Sequence, residues 1–364
     1  MYLFSQRVEE LELEDTMDYK DYYTGYSLLK SLDLNHKEPA IYICSGNRTA
    51  GKTFFFKRFL IRYCLKYGVK VLIITRKRTQ VKNSLHSFIS DVQNCDDFLL
   101  YKFKVDTTEI AGIAGIKIGN GDPFIYCTYY NYAGDLKEAS NMFSDVDIIL
   151  KDEFQSETND YVENEIIKFR SIHKSISRGF GSRQRDVKCI LCGNEISIIN
   201  PYYLALGITD RVNSDTKRLR GKGWVLERTF NKSAAEMSSA SPFEQAFGED
   251  EYALSANYNV YLDNKHMIQK LNTGNMKYIF TLKSDNKYYG VWNGEYYYVS
   301  KKLIPNFKRV YSTDLKSHDQ DTIMINRGNL IFQGLVDIFN QGGFVFESQE
   351  CKTAGLKMLG KVYI

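Results

Sequence analysis

Eight consecutive residues, Gly46–Thr53 (GNRTAGKT), match the pattern G-x-x-x-x-G-K-[ST] in full. The chemistry of such a loop is directed at phosphate. The backbone N–H groups of Asn47, Arg48, Thr49, Ala50 and Gly51 must turn inward onto phosphate oxygens, a path that calls for positive φ or for no Cβ at the glycines. Lys52 is expected to reach the β- and γ-phosphates of ATP and Thr53 to ligate Mg²⁺, at a helix N-terminus whose dipole favours the same charge. Arg48 is placed either to swing toward the γ-phosphate or to pair with a neighbouring acid. A phosphate loop also needs a carboxylate at the C-terminal end of a neighbouring strand, and Ile148–Glu153 (IILKDE) offers two. We expect Asp152 to hold the Mg²⁺ shell and Glu153 to polarise the attacking water as general base. Lys151 interrupts the apolar run that should precede these acids, so its cation requires a partner or a route to solvent.

Asn194 follows the run VKCILCG and would lie beside the γ-phosphate if that strand neighbours the one carrying Asp152. Its amide could then bond the attacking water, although Asn after a strand is also an ordinary turn former. Cys189 and Cys192 form C-x-x-C, but on a strand they face opposite ways, and no second pair completes a zinc site.

Residues 40–200 contain the elements that must position these groups. Short apolar runs alternate with longer amphipathic ones, the order of an α/β unit with a mostly parallel sheet. Ala40–Ser45 and Val69–Thr75 read as buried strands, and Gly51–Tyr67 between them as a helix capped by Gly68. Thr79–Val92 reads as a helix, Tyr101–Thr128 as a hairpin insertion before a further strand, Asp147–Leu150 as a strand, Tyr161–Ile176 as a helix and Val187–Cys192 as a strand. After Pro201 a basic stretch, Arg211 to Arg228, runs into the small-residue segment SAAEMSSASP. Four segments follow from Lys277 onward (KYIFTLK, KYYGVWNG, EYYYVSK, KRVYSTD), with an amphipathic run at Asn329–Asn340. These indicate a separate α+β domain. The expected division is an acidic N-terminal extension over 1–40 packing on the ATPase domain, that domain over 41–205, a linker over 206–250 and a C-terminal domain over 251–364.

The 364 residues, 43% of them apolar, with Tyr 27, Phe 22 and five Pro, exclude a disordered or fibrous chain. No apolar run approaches the ~18 residues of a membrane span. The acidic N-terminus leads us to expect no signal peptide. Seven Cys without repeated spacing read as thiols of a reducing cytoplasm. The net charge of +4 conceals an asymmetry: residues 1–40 hold nine acids against four bases, whereas Phe54–Ser90 holds nine Lys or Arg and no acid. Ile167–Lys188 adds seven bases against Asp186. Such clusters fit a polyanionic partner, and equally the solvated outer faces of helices.

GNRTAGKT, LKDEF at Leu150–Phe154 and, most specifically, CILCGNEISIINPYYL at Cys189–Leu204 resemble the genome-packaging ATPases of phi29-like tailed phages, over roughly residues 40–210. The resemblance implies a phosphate-loop NTPase of the additional-strand, catalytic-glutamate class that forms a homo-oligomeric ring, a pentamer. Such a ring drives double-stranded DNA into a preformed capsid. It implies work at the capsid portal vertex in the host-cell cytoplasm, with a packaging RNA, and a C-terminal domain of ribonuclease-H-like fold without nuclease activity. It places Lys52 and Thr53 on ATP, Asp152 on Mg²⁺, Glu153 on the water and Asn194 as sensor. It also implies an arginine finger acting on the neighbouring subunit's ATP, from Arg183 or Arg185 in GSRQRDVKC, and a second trans-acting cation for which Lys137 in GDLKEAS is the nearest match. Lys151 and the longer acidic N-terminus depart from the family pattern.

Two rival readings follow from the residues. A terminase-type motor with an active C-terminal nuclease would need several carboxylates converging from a first strand and its neighbours. KYIFTLK carries none, and Asp285, Asp314, Asp319 and Asp321 lie in polar loops. An ATP-regulated nucleic-acid-binding scaffold would need neither Glu153 nor Asn194.

Overall fold

The computed structural model describes residues 3–20, 22–107, 112–134, 143, 145–158, 160–178, 185–212, 216–247, 268–307, 309–326 and 328–363. The chain divides into two units, one formed by Met1–Glu195 with Thr216–Asn259 and the other by Ile196–Asp215 with Val260–Ile364.

In the first unit, α1 (Phe4–Leu13) and α2 (Tyr26–Leu29) precede β1 (Ile41–Gly46), which runs through the glycine loop into α3 (Lys52–Tyr67). Gly68 ends α3 in the left-handed conformation, φ 64°, with its N–H on the Cys64 carbonyl at 2.9 Å. Next come β2 (Lys70–Thr75), α4 (Gln80–Val92), the hairpin β3 (Phe103–Thr107) and β4 (Ala114–Ile118), β5 (Ile125–Tyr129) and β6 (Val146–Asp152). Helix α5 (Glu165–Ile176) and β7 (Lys188–Asn194) follow. After α6 (Pro201–Leu206), which falls in the second unit, the chain returns as β8 (Arg218–Gly221), β9 (Trp224–Thr229), α7 (Lys232–Ser239) and α8 (Pro242–Phe247).

The nine strands lie in the order β3-β4-β5-β2-β6-β7-β1-β9-β8. The six from β5 to β9 are parallel, and antiparallel pairings at β3, β4 and β8 finish the two edges. Central parallel strands are covered on both faces, which is why IYIC, VLII and CILC are unbroken apolar runs. The core on the α3 side joins Tyr42 and Cys44 of β1 to Phe55, Phe56, Phe59 and Tyr63 of α3 and to Phe4, Val8 and Tyr26 of the N-terminal helices.

The expected linker over 206–250 is corrected by this topology. Its middle forms β8 and β9, and β9 pairs along the whole of β1, from Ile41 opposite Trp224 to Gly46 opposite Thr229. The strand is masked in the sequence because Glu227 and Arg228 interrupt WVL, and Arg228 is buried only because it meets Glu195. The ATPase boundary expected at 205 moves with it: the chain leaves the first unit after Glu195. SAAEMSSASP opens within α7, whose N-terminus is capped by the Asn231 side chain accepting from the Ala234 N–H.

The basic run between Phe54 and Ser90 also reads differently in three dimensions. Seven of its nine cations have acidic partners inside the unit, among them Arg58 and Arg62 with Asp15, Lys66 with Glu10 and Glu14, Lys57 with Asp91 and Lys70 with Asp145. Asp15 and Arg58 are both 3% exposed, and Asp15 further accepts the hydroxyls of Tyr19 and Tyr26. The acidic N-terminal segment is therefore the counter-charge of α3. Among the described residues, Arg78 and Lys82 are the two cations of this run with no ion pair.

In the second unit, β10 (Lys277–Ser284), β11 (Lys287–Asn293) and β12 (Tyr297–Ser300) form an antiparallel meander. They are joined by β13 (Val310–Ser312), β14 (Ile323–Met324), α9 (Leu330–Asn340), β15 (Phe344–Phe346) and α10 (Gln349–Gly360). The sheet order β14-β13-β10-β11-β12-β15 is mixed, with β13 parallel to β10 and β15 parallel to β12. This is the α+β organisation expected from the aromatic strand patterns. Several of its lysines are committed internally, Lys283 to Asp319 and both Lys287 and Lys301 to Glu350.

A fragment ending at residue 205 would strip β9 from β1 and leave a central apolar strand as an edge. We expect it to aggregate, whereas a fragment ending at residue 247 unfolds cooperatively; size-exclusion profiles and thermal melts of the two compare them directly. Equal solubility and melting of both fragments would mean that β8 and β9 are dispensable.

Candidate functional site

The site lies at the C-terminal ends of β1, β6 and β7, with β7 inserted between the other two. Cα partners align these ends: Asp152 stands opposite Cys192, and Gly46 opposite Asn194 on one side and Thr229 on the other. The acids Asp152 and Glu153, the Asn194 amide and the glycine loop thereby lie at one edge of the sheet.

The two glycines of the loop are needed for different reasons. Gly51 has φ 88°, the left-handed conformation, at the turn into α3. Gly46 is crowded: a Cβ there would fall 2.3 Å from the Thr229 carbonyl oxygen. Between them, Asn47 is held by a reciprocal pair, its Nδ2 donating to the Asn231 carbonyl and its Oδ1 accepting the Asn231 N–H, both at 2.9 Å. Thr49 has φ 57°, and its hydroxyl donates to the Arg48 carbonyl. Ala50 is fully buried, with its carbonyl accepting the Tyr23 N–H at 2.8 Å. Arg48 pairs with Glu157, the second of the two placements open to it.

Lys52 Nζ, 5% exposed, donates to the carbonyls of Gly46 at 3.1 Å and Asn47 at 2.5 Å, with Asn194 Oδ1 at 3.4 Å. The ammonium therefore sits between the loop and the end of β7. The Thr53 hydroxyl donates to Asp152 Oδ1 at 3.2 Å. A hydroxyl and a carboxylate at this separation, both oxygen donors, suit a hard divalent ion such as Mg²⁺. Among the described residues no group of three or more His, Cys, Asp or Glu gathers as a metal site, and all seven cysteines are free.

Glu153 follows the last residue of β6 and has φ 51°, rare for a residue with a side chain. Its N–H donates to Asp152 Oδ1 at 3.0 Å, and its side chain is exposed. Lys151 is buried on the face of the strand opposite Asp152, where its Nζ donates to the carbonyls of Asp152 at 2.5 Å and Glu153 at 3.4 Å. Burial, then repulsion from Arg76, pulls this ammonium down to about 8. The cation that looked out of place in IILKDE is thus satisfied by the turn it precedes.

Sequence reasoning missed the groups that hold these residues in place. Glu195, next to Asn194, forms two bonds of 2.6 Å with Arg228 and accepts the Ser45 hydroxyl at 3.0 Å. Burial raises the Glu195 carboxyl above its usual range although Arg228 opposes it. An acid inside the apolar run CGNEISII was the available signal. Arg76, immediately after β2, donates to the Glu153 carbonyl at 2.8 Å and the Phe154 carbonyl at 2.6 Å, and in the sequence it is indistinguishable from the other cations of its basic run.

Arg185 is placed elsewhere. It donates to the Val146 carbonyl at 2.9 Å and pairs with Asp147 at 3.0 Å, at the opposite end of β6 from Asp152. Within its own subunit Arg185 is thus remote from the glycine loop, and its expected role was toward the neighbouring subunit's ATP. Arg183 and Lys137 lie outside the described residues. Arg178, just beyond α5, is exposed.

The family model described as Podovirus DNA encapsidation protein (Gp16) matches residues 17–364. The DNA packaging protein of Bacillus phage B103 is 23% identical over 327 residues, spanning 88% of this chain and 96% of that protein. The corresponding protein of Bacillus phage phi29 is 22% identical over 331 residues, 88% of this chain and 93% of that one. Among solved structures, the Phi-28 gp11 DNA packaging motor superposes with a TM-score of 0.57 at 16% identity, covering 94% of this chain and 98% of that chain. The likeness of that structure is one of fold.

Gly46→Ala tests the crowding directly. Forcing a Cβ against backbone costs about 2 kcal/mol or more, so the variant is expected to melt several degrees lower and to bind an Mg²⁺–ATP analogue weakly. Thermal unfolding and analogue titration read both effects; unchanged values would mean that β9 yields.

Proposed function

The chain belongs to the Podovirus DNA encapsidation protein (Gp16) family, and from that premise we propose that it is the ATP-hydrolysing subunit of the motor that drives double-stranded DNA into a preformed capsid. The observation that carries the reading is the insertion of β7 between β1 and β6, which sets Asn194 beside Lys52 and on the strand next to the one that ends in Asp152.

In this reading the loop backbone and Lys52 bind the phosphates of ATP, while Thr53 and Asp152 hold Mg²⁺. The metal would offset charge developing on the phosphate oxygens. Glu153 accepts a proton from the attacking water, and Asn194 orients that water and registers loss of the γ-phosphate. No described helix is long and apolar enough to cross a membrane. The partners proposed are the capsid portal, a packaging RNA and further copies of this chain in a pentameric ring, acting in the host-cell cytoplasm and transiently at the portal vertex. The phi29 relative was solved within a viral genome packaging motor assembly, which supports a multicomponent setting. In the C-terminal unit, Asp314 accepts from Thr313, Ser317 and the Asp285 N–H, and Asp319 pairs with Lys283. These carboxylates are engaged in stabilising a loop, which favours a motor without nuclease activity.

Lys52→Ala is expected to abolish nucleotide binding. Glu153→Gln should retain it while hydrolysis falls by about 10²–10⁴, measured as phosphate release with empty capsids and DNA. Equal rates for Glu153→Gln and wild type would remove Glu153 from the chemistry.

The arginine finger is tested by complementation. An arginine supplied in trans contributes about 10³–10⁵ in rate, so mixing Arg183→Ala with Glu153→Gln subunits should restore activity at mixed interfaces. Arg178→Ala is assayed in the same way, because that residue is exposed in the same segment whereas Arg185 is paired with Asp147. Failure of every ratio to rescue, with both variants assembling, would rule out trans action by these arginines.

A further inference from the structure

Where β7 ends, the chain buries an ion pair beside the residues that line the phosphate loop. Glu195 Oε1 accepts from Arg228 Nε and Oε2 from Nη2, both at 2.6 Å, and the side chains of Glu195 and Arg228 are 0% and 4% exposed. Oε1 also accepts the Ser45 hydroxyl at 3.0 Å, so one carboxylate ties β7 across β1 to β9. Each member of this clamp is next in sequence to a residue at the loop: Ser45 to Gly46, Glu195 to Asn194 and Arg228 to Thr229. Gly46 is the Cα partner of both Asn194 and Thr229. Lys52 Nζ donates to the Gly46 carbonyl at 3.1 Å and to Asn194 Oδ1 at 3.4 Å, while the Thr229 carbonyl is what a Cβ at Gly46 would strike.

Among the described residues the Asn194 side chain has one hydrogen bond, that contact with Lys52, and it is longer than the usual ~2.9 Å of an N–H···O bond. Lys52 therefore does not dictate where the amide lies; the backbone that carries it does. Stability alone does not call for an ion pair beside that backbone, since packed apolar side chains of similar volume are often no less stable than a buried pair. What an apolar pair lacks is direction. A guanidinium and a carboxylate joined by two parallel bonds have one planar geometry. Arg228 is itself anchored, with Nη1 on the Thr216 carbonyl at 3.0 Å and its backbone N–H on the Lys217 carbonyl at 2.8 Å.

We propose that Glu195 and Arg228 are positioning residues for Asn194: the clamp fixes the backbone of the amide against β1 and so sets its distance from the γ-phosphate of bound ATP. The proposal rests on Asn194 being the γ-phosphate sensor, as read above. Neither residue belongs to the loop, so their loss is felt at the γ-phosphate, and ADP, which lacks that group, binds as before.

The test replaces the whole pair in the full chain, Glu195→Leu together with Arg228→Met, since removing one member leaves the other charge buried and uncompensated. Phosphate release is measured with capsids and DNA, and binding with fluorescent ADP and a fluorescent non-hydrolysable ATP analogue. A misplacement on the order of 1 Å costs about 10² in rate, so kcat should fall about 100-fold. The Kd of the ATP analogue should rise about fivefold, the worth of one neutral hydrogen bond, while that of ADP changes by less than about twofold. In an Asn194→Ala background the same pair of changes should cost less than about threefold in kcat, because clamp and amide act as one unit. If the pair variant does not fold, Arg228→Lys, which keeps the charge but not the fork, is read by the same ratios. A wild-type kcat, equal weakening of ADP and analogue, or an undiminished loss in the Asn194→Ala background overturns the proposal. Wild-type turnover and analogue binding by Asn194→Ala alone overturn the sensor reading and this proposal with it, whereas a slow Asn194→Ala beside an unimpaired pair variant overturns the proposal alone.

Discussion

Everything at the site depends on three parallel strands ending together. Parallel strands present their C-terminal ends at one edge of a sheet, which is where ligands of open α/β folds bind. The register fixes which residues appear there: Gly46, Asn194 and Thr229 are Cα partners across β7, β1 and β9, and Asp152 is one strand further on. No long-range search is needed to assemble the chemistry, because each group has only to be the last residue of its strand or the first after it. The same constraint explains the loop's intolerance of bulk, since β1 is enclosed by neighbours on both sides and Gly46 has backbone against it.

Charge is arranged to support that edge rather than to decorate the surface. Exposed ion pairs contribute about 0–1 kcal/mol each, whereas removing one member of a buried pair costs about 3–5 kcal/mol. By that measure the Arg58–Asp15 and Arg228–Glu195 pairs matter far more than Lys77–Asp160 or Lys287–Glu350. The first fastens the acidic N-terminal segment over α3, and the second fastens β9 to the end of β7. The excess of positive charge in the sequence is consequently a poor guide to where a polyanion binds, because much of it is matched within the fold.

Local features were legible in the sequence. GNRTAGKT needs only its own backbone and the strand and helix on either side, and the buried runs of β1, β2 and β7 are apolar because both faces of a central strand are covered. The acids of β6 were legible for the same reason, as strand-end residues. What could not be read depends on pairing between distant segments. WVLERT resembles a polar stretch until Arg228 is seen beside Glu195, and Lys151 resembles a misfit until the carbonyls of Asp152 and Glu153 turn back onto it. Arg76 belongs to the site because β2 pairs with β6, a fact of topology that no local pattern contains. Nor does the sequence show that Arg185 pairs with Asp147 at the far end of β6, a contact between distant segments.

The same dependence on pairing links the site to the division of the chain. The first unit ends its main segment at Glu195, one residue after Asn194, and resumes at Thr216. Arg228 grips both ends of that excursion, bonding the Glu195 carboxylate with two nitrogens and the Thr216 carbonyl with Nη1 at 3.0 Å. Its own N–H donates to the Lys217 carbonyl at 2.8 Å, so the returning chain is held twice. Glu195 in turn reaches Ser45, in the strand that opens into the phosphate loop. A displacement of Asn194 therefore meets a fixed point on its own side, at Glu195, and the backbone beyond it leads directly into the second unit. Loss of charge at either end of the Glu195–Arg228 pair would release the departing and the returning chain together, since one guanidinium closes both.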